Sequence, residues 1–225
     1  MQATYEDDGH GYRYSCQIAR QNSLTMSRHT HSANYNAVAK IFHWLMATLI
    51  LCMLLLGWAM TADNILGGHE KSVAMQVHES VGMIVLTLGL LRLTWRFLNP
   101  PPPLPAFMPV WEQVAARLSH VILYVLMLVM PLVGWGIIST MAHNALFFGL
   151  FPIPNLPFLH DLPGKKEIRE IFENIHWWLA WVIIAVVALH AGAALKHHFI
   201  ERDDILLRMA PSFLGRILCY LRGEA

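Results

Sequence analysis

The stretch NIHWWLAWVIIAVVALHAGAALKHH, Asn174 to His198, decides how this chain is read. It is apolar for long enough to cross a bilayer, and it carries a histidine near each end, His176 and His190. In a helix these two imidazoles stand roughly 21 Å apart along the axis and within about 40° of one face. One helix therefore presents two stacked ligand positions, one per leaflet. An ionisable side chain in lipid is costly and marks function by default, and imidazole is an axial ligand of haem iron. The expectation is an all-α membrane protein whose helical bundle encloses two haems, one above the other.

Composition agrees with a membrane chain. Hydrophobic residues make up 56% of the 225 residues and charged residues 14%, whereas soluble domains carry about 25% charged residues. A formal net charge of +1, with no basic patch interleaved with aromatics, argues against nucleic acid as a partner. Cys16, Cys52 and Cys219 form no CxxC or CxxCH, which argues against covalent c-type haem, a zinc knuckle or a cysteine-held cluster.

Residues 1–34 are polar, without apolar periodicity, and read as a disordered cytoplasmic tail. No short apolar core precedes Ile41, so no secretory signal is expected, and Met26 is a candidate alternative start. Residues 35–212 hold the spanning domain, with segments near Ile41–Met60, Val77–Leu98, Ser119–Thr140 and Ile175–Leu195, each close to the ~20 residues a bilayer needs. Residues 213–225 read as a cytoplasmic C-terminal tail. Twelve basic residues fall on the termini and the second connection with its flanks, and four, Lys71, Lys165, Lys166 and Arg169, on the first and third connections. Both termini should therefore face the cytoplasm. Trp44, Trp58, Trp95, Trp135, Trp177 and Trp178 lie near segment ends, where amphipathic rings favour the interface.

That topology decides which histidines share a level. His43 is shallow on the cytoplasmic side and His78 shallow on the outer side, so these two cannot hold one iron. Depth pairs His78 with His176 and His43 with His190. His120 competes with His43 at the inner level, and His69, His143 and His160 in the outer connections compete with His78. Gly82 and Gly89 on the second segment, and the small residues around His190, leave room for a flat macrocycle or for close helix packing. Gly134 and Gly136, after Pro131, mark a bend in the third segment.

The pieces IFHWLMA, MQVHESVG with LLRL, SHVILYVLMLVMPLVGW and IHWWLAWVIIAVVALHAGAALKHHF with LLRMAP carry a family likeness across roughly residues 35–212. The chain resembles the bacterial cytochrome b561 family, four-helix di-haem proteins of the inner membrane. The resemblance implies a four-transmembrane-helix bundle with two non-covalent b haems, ligated by His43, His78, His176 and His190. It also implies electron exchange with membrane quinone, and in some members oxidation of superoxide on the outer side with reduction of ubiquinone.

Further residues fit that chemistry. Lys71 and Lys165, with Lys166 and Arg169, can steer a small anion to the outer level or anchor haem propionates. Arg92, Arg96, Lys196, His197 and His198 can hold inner propionates or serve a quinone, with His197 the favoured quinone-side group. A solvated surface helix and the positive-inside rule account for the same residues without any ligand. The alternative function is a cytochrome b subunit that links a periplasmic dehydrogenase or hydrogenase to the quinone pool.

Overall fold

The computed structural model describes residues 34–62, 65–105, 108–142, 144–160 and 162–223. The tail expected for residues 1–34, with Met26 and Cys16, falls almost wholly outside them, as do His143 and the His160 side chain. Four described helices are long and apolar enough to cross a membrane: α1 (Ala37–Thr61), α2 (Gly68–Leu98), α3 (Val110–Ser139) and α5 (Lys165–Lys196), the last running on into a π-helical turn, His197–Glu201. The third connection carries β1 (Leu146–Phe147), β2 (Phe151–Pro152) and a short helix α4 (Pro157–His160); α6 (Ile205–Met209) and α7 (Ser212–Leu221) follow α5.

Each spanning helix contains one expected segment, except that Thr140 caps α3 rather than lying in it, but α2, α3 and α5 begin well ahead of their apolar cores. Backbone hydrogen bonding continues into polar sequence, so the helix starts at its local stop signals rather than at the lipid boundary. Glu70 accepts from the Gly67 amide at 2.9 Å ahead of α2, and Pro109 caps α3. Gly164, at φ +74°, precedes α5. Asn36 Oδ1 accepts from the Ala39 amide at 2.8 Å and caps α1.

The chain forms two compact units. In the larger, Ile41–Pro100 with Pro105–Ala188, α2 and α3 make the extensive close backbone approach between spanning helices among the described residues. Gly89 permits it, since a Cβ there would lie 3.2 Å from Leu128 Cδ2. Met46, Val85 and Met127 form one apolar core with Leu49, Ile50, Val81, Leu88 and Tyr124 around them. A second core joins Ile138 to Ala145 and Ile153 of the third connection.

Three polar side chains fasten that connection to the helices. Ser80 Oγ donates to the Gln76 carbonyl at 2.7 Å and accepts from the Phe148 amide at 2.8 Å. Ser139 Oγ accepts from the Leu156 amide at 3.0 Å, and Trp135 Nε1 donates to the Pro154 carbonyl at 2.8 Å. The β1–β2 turn places Phe148 at φ +46° and Gly149 at φ +76°, a left-handed pair that glycine accepts without strain at its second position.

The smaller unit takes in the start of α1 up to Lys40, Pro101–Leu104, and everything from Leu189 onward. Tyr35 donates its amide to the Arg208 carbonyl (3.3 Å), Lys40 Nζ to the Ala210 carbonyl (3.0 Å) and Arg208 Nη1 to the Pro103 carbonyl (2.9 Å). The residues from 213 onward, expected as a tail, are thus largely the helix α7, packed through buried Gly215, Leu218 and Cys219.

Candidate functional site

His78 from α2 and His176 from α5 meet in the larger unit with ring centroids 6.1 Å apart and planes at 66°. Two imidazoles binding one metal from opposite sides through ~2 Å bonds, each ring centre about 1.1 Å behind its donor nitrogen, stand about 6 Å apart. An ordinary edge-to-face ring pair has a similar spacing. What a ring pair alone leaves unexplained is the polar chemistry: both Nδ1 atoms are buried and make no hydrogen bond of good geometry. The Met130 carbonyl faces the His176 ring. An Nδ1–H directed at that carbonyl would fix the tautomer and leave Nε2 as a free donor to a metal.

Two glycines make room for these rings. A Cβ on Gly134 would lie 3.3 Å from His176 Cε1, and one on Gly57 would lie 3.7 Å from His78 Cε1. Sequence reading assigned Gly134 to a bend and missed Gly57. The positions it favoured serve elsewhere: Gly89 lets α2 meet α3, and Gly82 faces Met53 Cε at 3.9 Å.

His43 lies in the larger unit and His190, half-buried, in the smaller. Arg92 Nη2 is 3.1 Å from His43 Nδ1, and its guanidinium carbon is 5.4 Å from the Tyr124 ring centre. Arginine has only donors, so in this contact Nδ1 accepts and the ring proton sits on Nε2. The rivals divide: His69 is exposed in the first turn of α2, and His120 is half-buried in α3.

The residues expected to handle substrates sit apart from the imidazole pair in sequence. Lys71 is exposed on α2, Lys165 opens α5 half-buried, and Arg169 pairs with Glu173 at 3.5 Å. At the end of α5 in the smaller unit, Lys196 Nζ pairs with Glu201 Oε1 at 2.5 Å. His197 Nδ1 lies 2.5 Å from Glu201 Oε2 and 2.6 Å from Asp203 Oδ2. Asp203 is buried and accepts from the Ile205 amide at 3.0 Å, which aims its carboxylate. Neither acid was singled out from the sequence, although the run HHFIERDD places both within six residues of His197.

A family model described as prokaryotic cytochrome b561 matches residues 34–212. "Cytochrome b561 homolog 2" of Escherichia coli (strain K12) is 34% identical over 177 residues, covering 78% of this chain and 90% of that protein. "Cytochrome b561 homolog 1" of the same organism is 33% identical over 178 residues, covering 75% and 92%. "Probable superoxide oxidase CybB" of Yersinia pestis is 27% identical over 185 residues, covering 80% and 98%.

Proposed function

The chain belongs to the prokaryotic cytochrome b561 family, and from that premise we propose that it carries electrons between two haems b, oxidising superoxide outside and reducing ubiquinone. Membership makes it a multi-pass bacterial membrane protein of transmembrane electron transfer, with haem b as cofactor and lipid and a redox partner around it. In this reading it sits in the inner membrane with both termini cytoplasmic. His78 and His176 hold the outer haem, and His43 and His190 the inner one. The observation that carries the reading is the meeting of His78 and His176 with both Nδ1 atoms buried and neither making a hydrogen bond of good geometry. For His43 and His190 the support is their matching depth in sequence.

Haem b, when bound, would supply reversible one-electron ferric–ferrous chemistry, with these histidines as the residues that would hold it. The chain's own residues then do the rest. Gly57 and Gly134 set ring orientation by lacking side chains. Arg92 must leave His43 Nδ1 free for its proton, and a propionate is the acceptor to which it can turn. Lys71 and Lys165 draw the superoxide anion by charge.

Two superoxide anions each give up one electron and leave as dioxygen, and ubiquinone takes both electrons with two protons. His197 relays those protons one at a time, taking each from cytoplasmic water, its Nδ1 held by Glu201 and Asp203 so that the far nitrogen is left for the quinone. Lys196 holds Glu201 ionised for that task. The superoxide reading draws support from the Yersinia pestis relative's name. A second reading follows from the more similar Escherichia coli relatives, whose names give no substrate: a cytochrome b subunit serving a periplasmic dehydrogenase or hydrogenase. Purified protein in liposomes with ubiquinone decides between them. Superoxide-dependent quinol formation with haem reduction supports the first. Haem that reduces only with a co-purifying partner overturns it in favour of the second.

A further inference from the structure

The smaller unit presents a surface that electron transfer does not use. We propose that α7 is an interfacial membrane helix, its outer face seated in the headgroup–acyl boundary on the side where both termini emerge, with phospholipid as its partner. The inference rests on the chain crossing a membrane and is independent of the haems.

Depth comes from hydrogen bonds to two spanning helices. His198 lies in the π-helical continuation of α5, roughly 3 Å of helical rise beyond Lys196. It is fully buried, and its Nε2 donates to the Leu218 carbonyl of α7 at 3.2 Å. Arg222, just after α7, donates from Nη1 to the Asp203 carbonyl at 3.0 Å. At the other end, Lys40 in the first turn of α1 donates to the carbonyl of Ala210, two residues ahead of α7. The ends of two transmembrane helices thus hold α7 at the level where they leave the lipid.

Chemistry comes from the two faces of SFLGRILCYL. Gly215, Leu218, Cys219 and Arg222 are buried and define the inner face. Phe213, Ile217 and Tyr220 recur at i, i+4 and i+7, fall within about 60° of one another and point the opposite way. They are 61%, 51% and 72% exposed. A water-facing helix would carry polar residues there; this one carries two aromatics and an isoleucine, with exposed Arg216 at the stripe's margin. Apolar and aromatic side chains aimed at acyl chains, with an arginine placed for phosphate, are the composition of a helix lying in the interface. Continuity with the lipid-exposed end of α5, where Leu189 and Ile200 are 74% and 75% exposed, selects the same bilayer over another protein. Held this way, α7 also fixes the His197–Asp203 pair at headgroup depth.

The test is photo-crosslinking of the full-length protein in nanodiscs of phosphatidylethanolamine and phosphatidylglycerol. Benzoylphenylalanine at position 213, 217 or 220 should give phospholipid adducts by intact mass, and the same probe at exposed Glu167 should give none. Ile217→Glu should cut the adduct yield at position 213 several-fold while the protein still elutes as a folded species. Absence of lipid adducts at all three positions overturns the proposal. So does crosslinking to a second copy, or to residues 1–33, in their place.

Discussion

Gly134 sets how closely α3 approaches His176, and this makes it a sharper probe of the proposed outer haem site than the sequence neighbours of His78 or His176. A methyl group there would stand 3.3 Å from His176 Cε1, so the ring must give way. At Gly57 the corresponding contact with His78 is 3.7 Å, ordinary van der Waals distance. Overpacking costs ~1–3 kcal/mol, so Gly134→Ala should weaken binding of the outer haem by about 5- to 100-fold in a haem titration. Gly57→Ala should bind haem like the parent. Equal behaviour of the two variants would show that these glycines do not shape the site. The four histidines could be proposed from charge in lipid and from depth, because both are one-dimensional properties of the sequence. Gly57 and Gly134 could not, since which glycine faces a ring depends on how four helices rotate about their axes.

The third connection and the end of α5 are elements that hydropathy could not resolve. Both are held by a few polar contacts between residues far apart in the chain. Ser80, fully buried, joins α2 to the β1–β2 turn through the Phe148 amide. Ser80→Ala leaves that amide buried without a partner, at a cost of ~1–3 kcal/mol. Hydrogen exchange at Phe148 should quicken by about 5- to 100-fold, with exchange in the middle of α2 unchanged. Arg222 holds α7 to the turn after α5, its side chain only 1% exposed. Removing a charged donor of this kind costs ~1.5–3 kcal/mol, so Arg222→Ala should speed proteolysis between Asp203 and Gly223 by about 10- to 100-fold. Unchanged proteolysis would mean that Arg222 does not hold α7 in place. The tail expected from residue 213 folds as a helix because its apolar residues, too few to span lipid, recur at helical spacing and pack one face on the π-helical turn.

At the scale of the molecule, four apolar helices were legible in composition alone, and their starts were not, because capping rather than hydropathy ends a helix. The smaller unit brings together the start of α1, the segment after α2 and the end of α5, three stretches that a four-pass chain returns to one side of the membrane. The distribution of basic residues predicts that side to be cytoplasmic. A fluorescent protein that folds only in the cytoplasm, fused after Ala225, should therefore glow, whereas a dark fusion present in the membrane at normal abundance would reverse the topology. The central claim is that α2 and α5 share one haem through His78 and His176. It is tested most directly by counting haem per chain in purified His78→Ala, His176→Ala and the double variant. The parent should carry about two haems and each of the three variants about one, since loss of either imidazole removes the same group. Two haems retained in a single variant, or a further loss in the double variant, would contradict it.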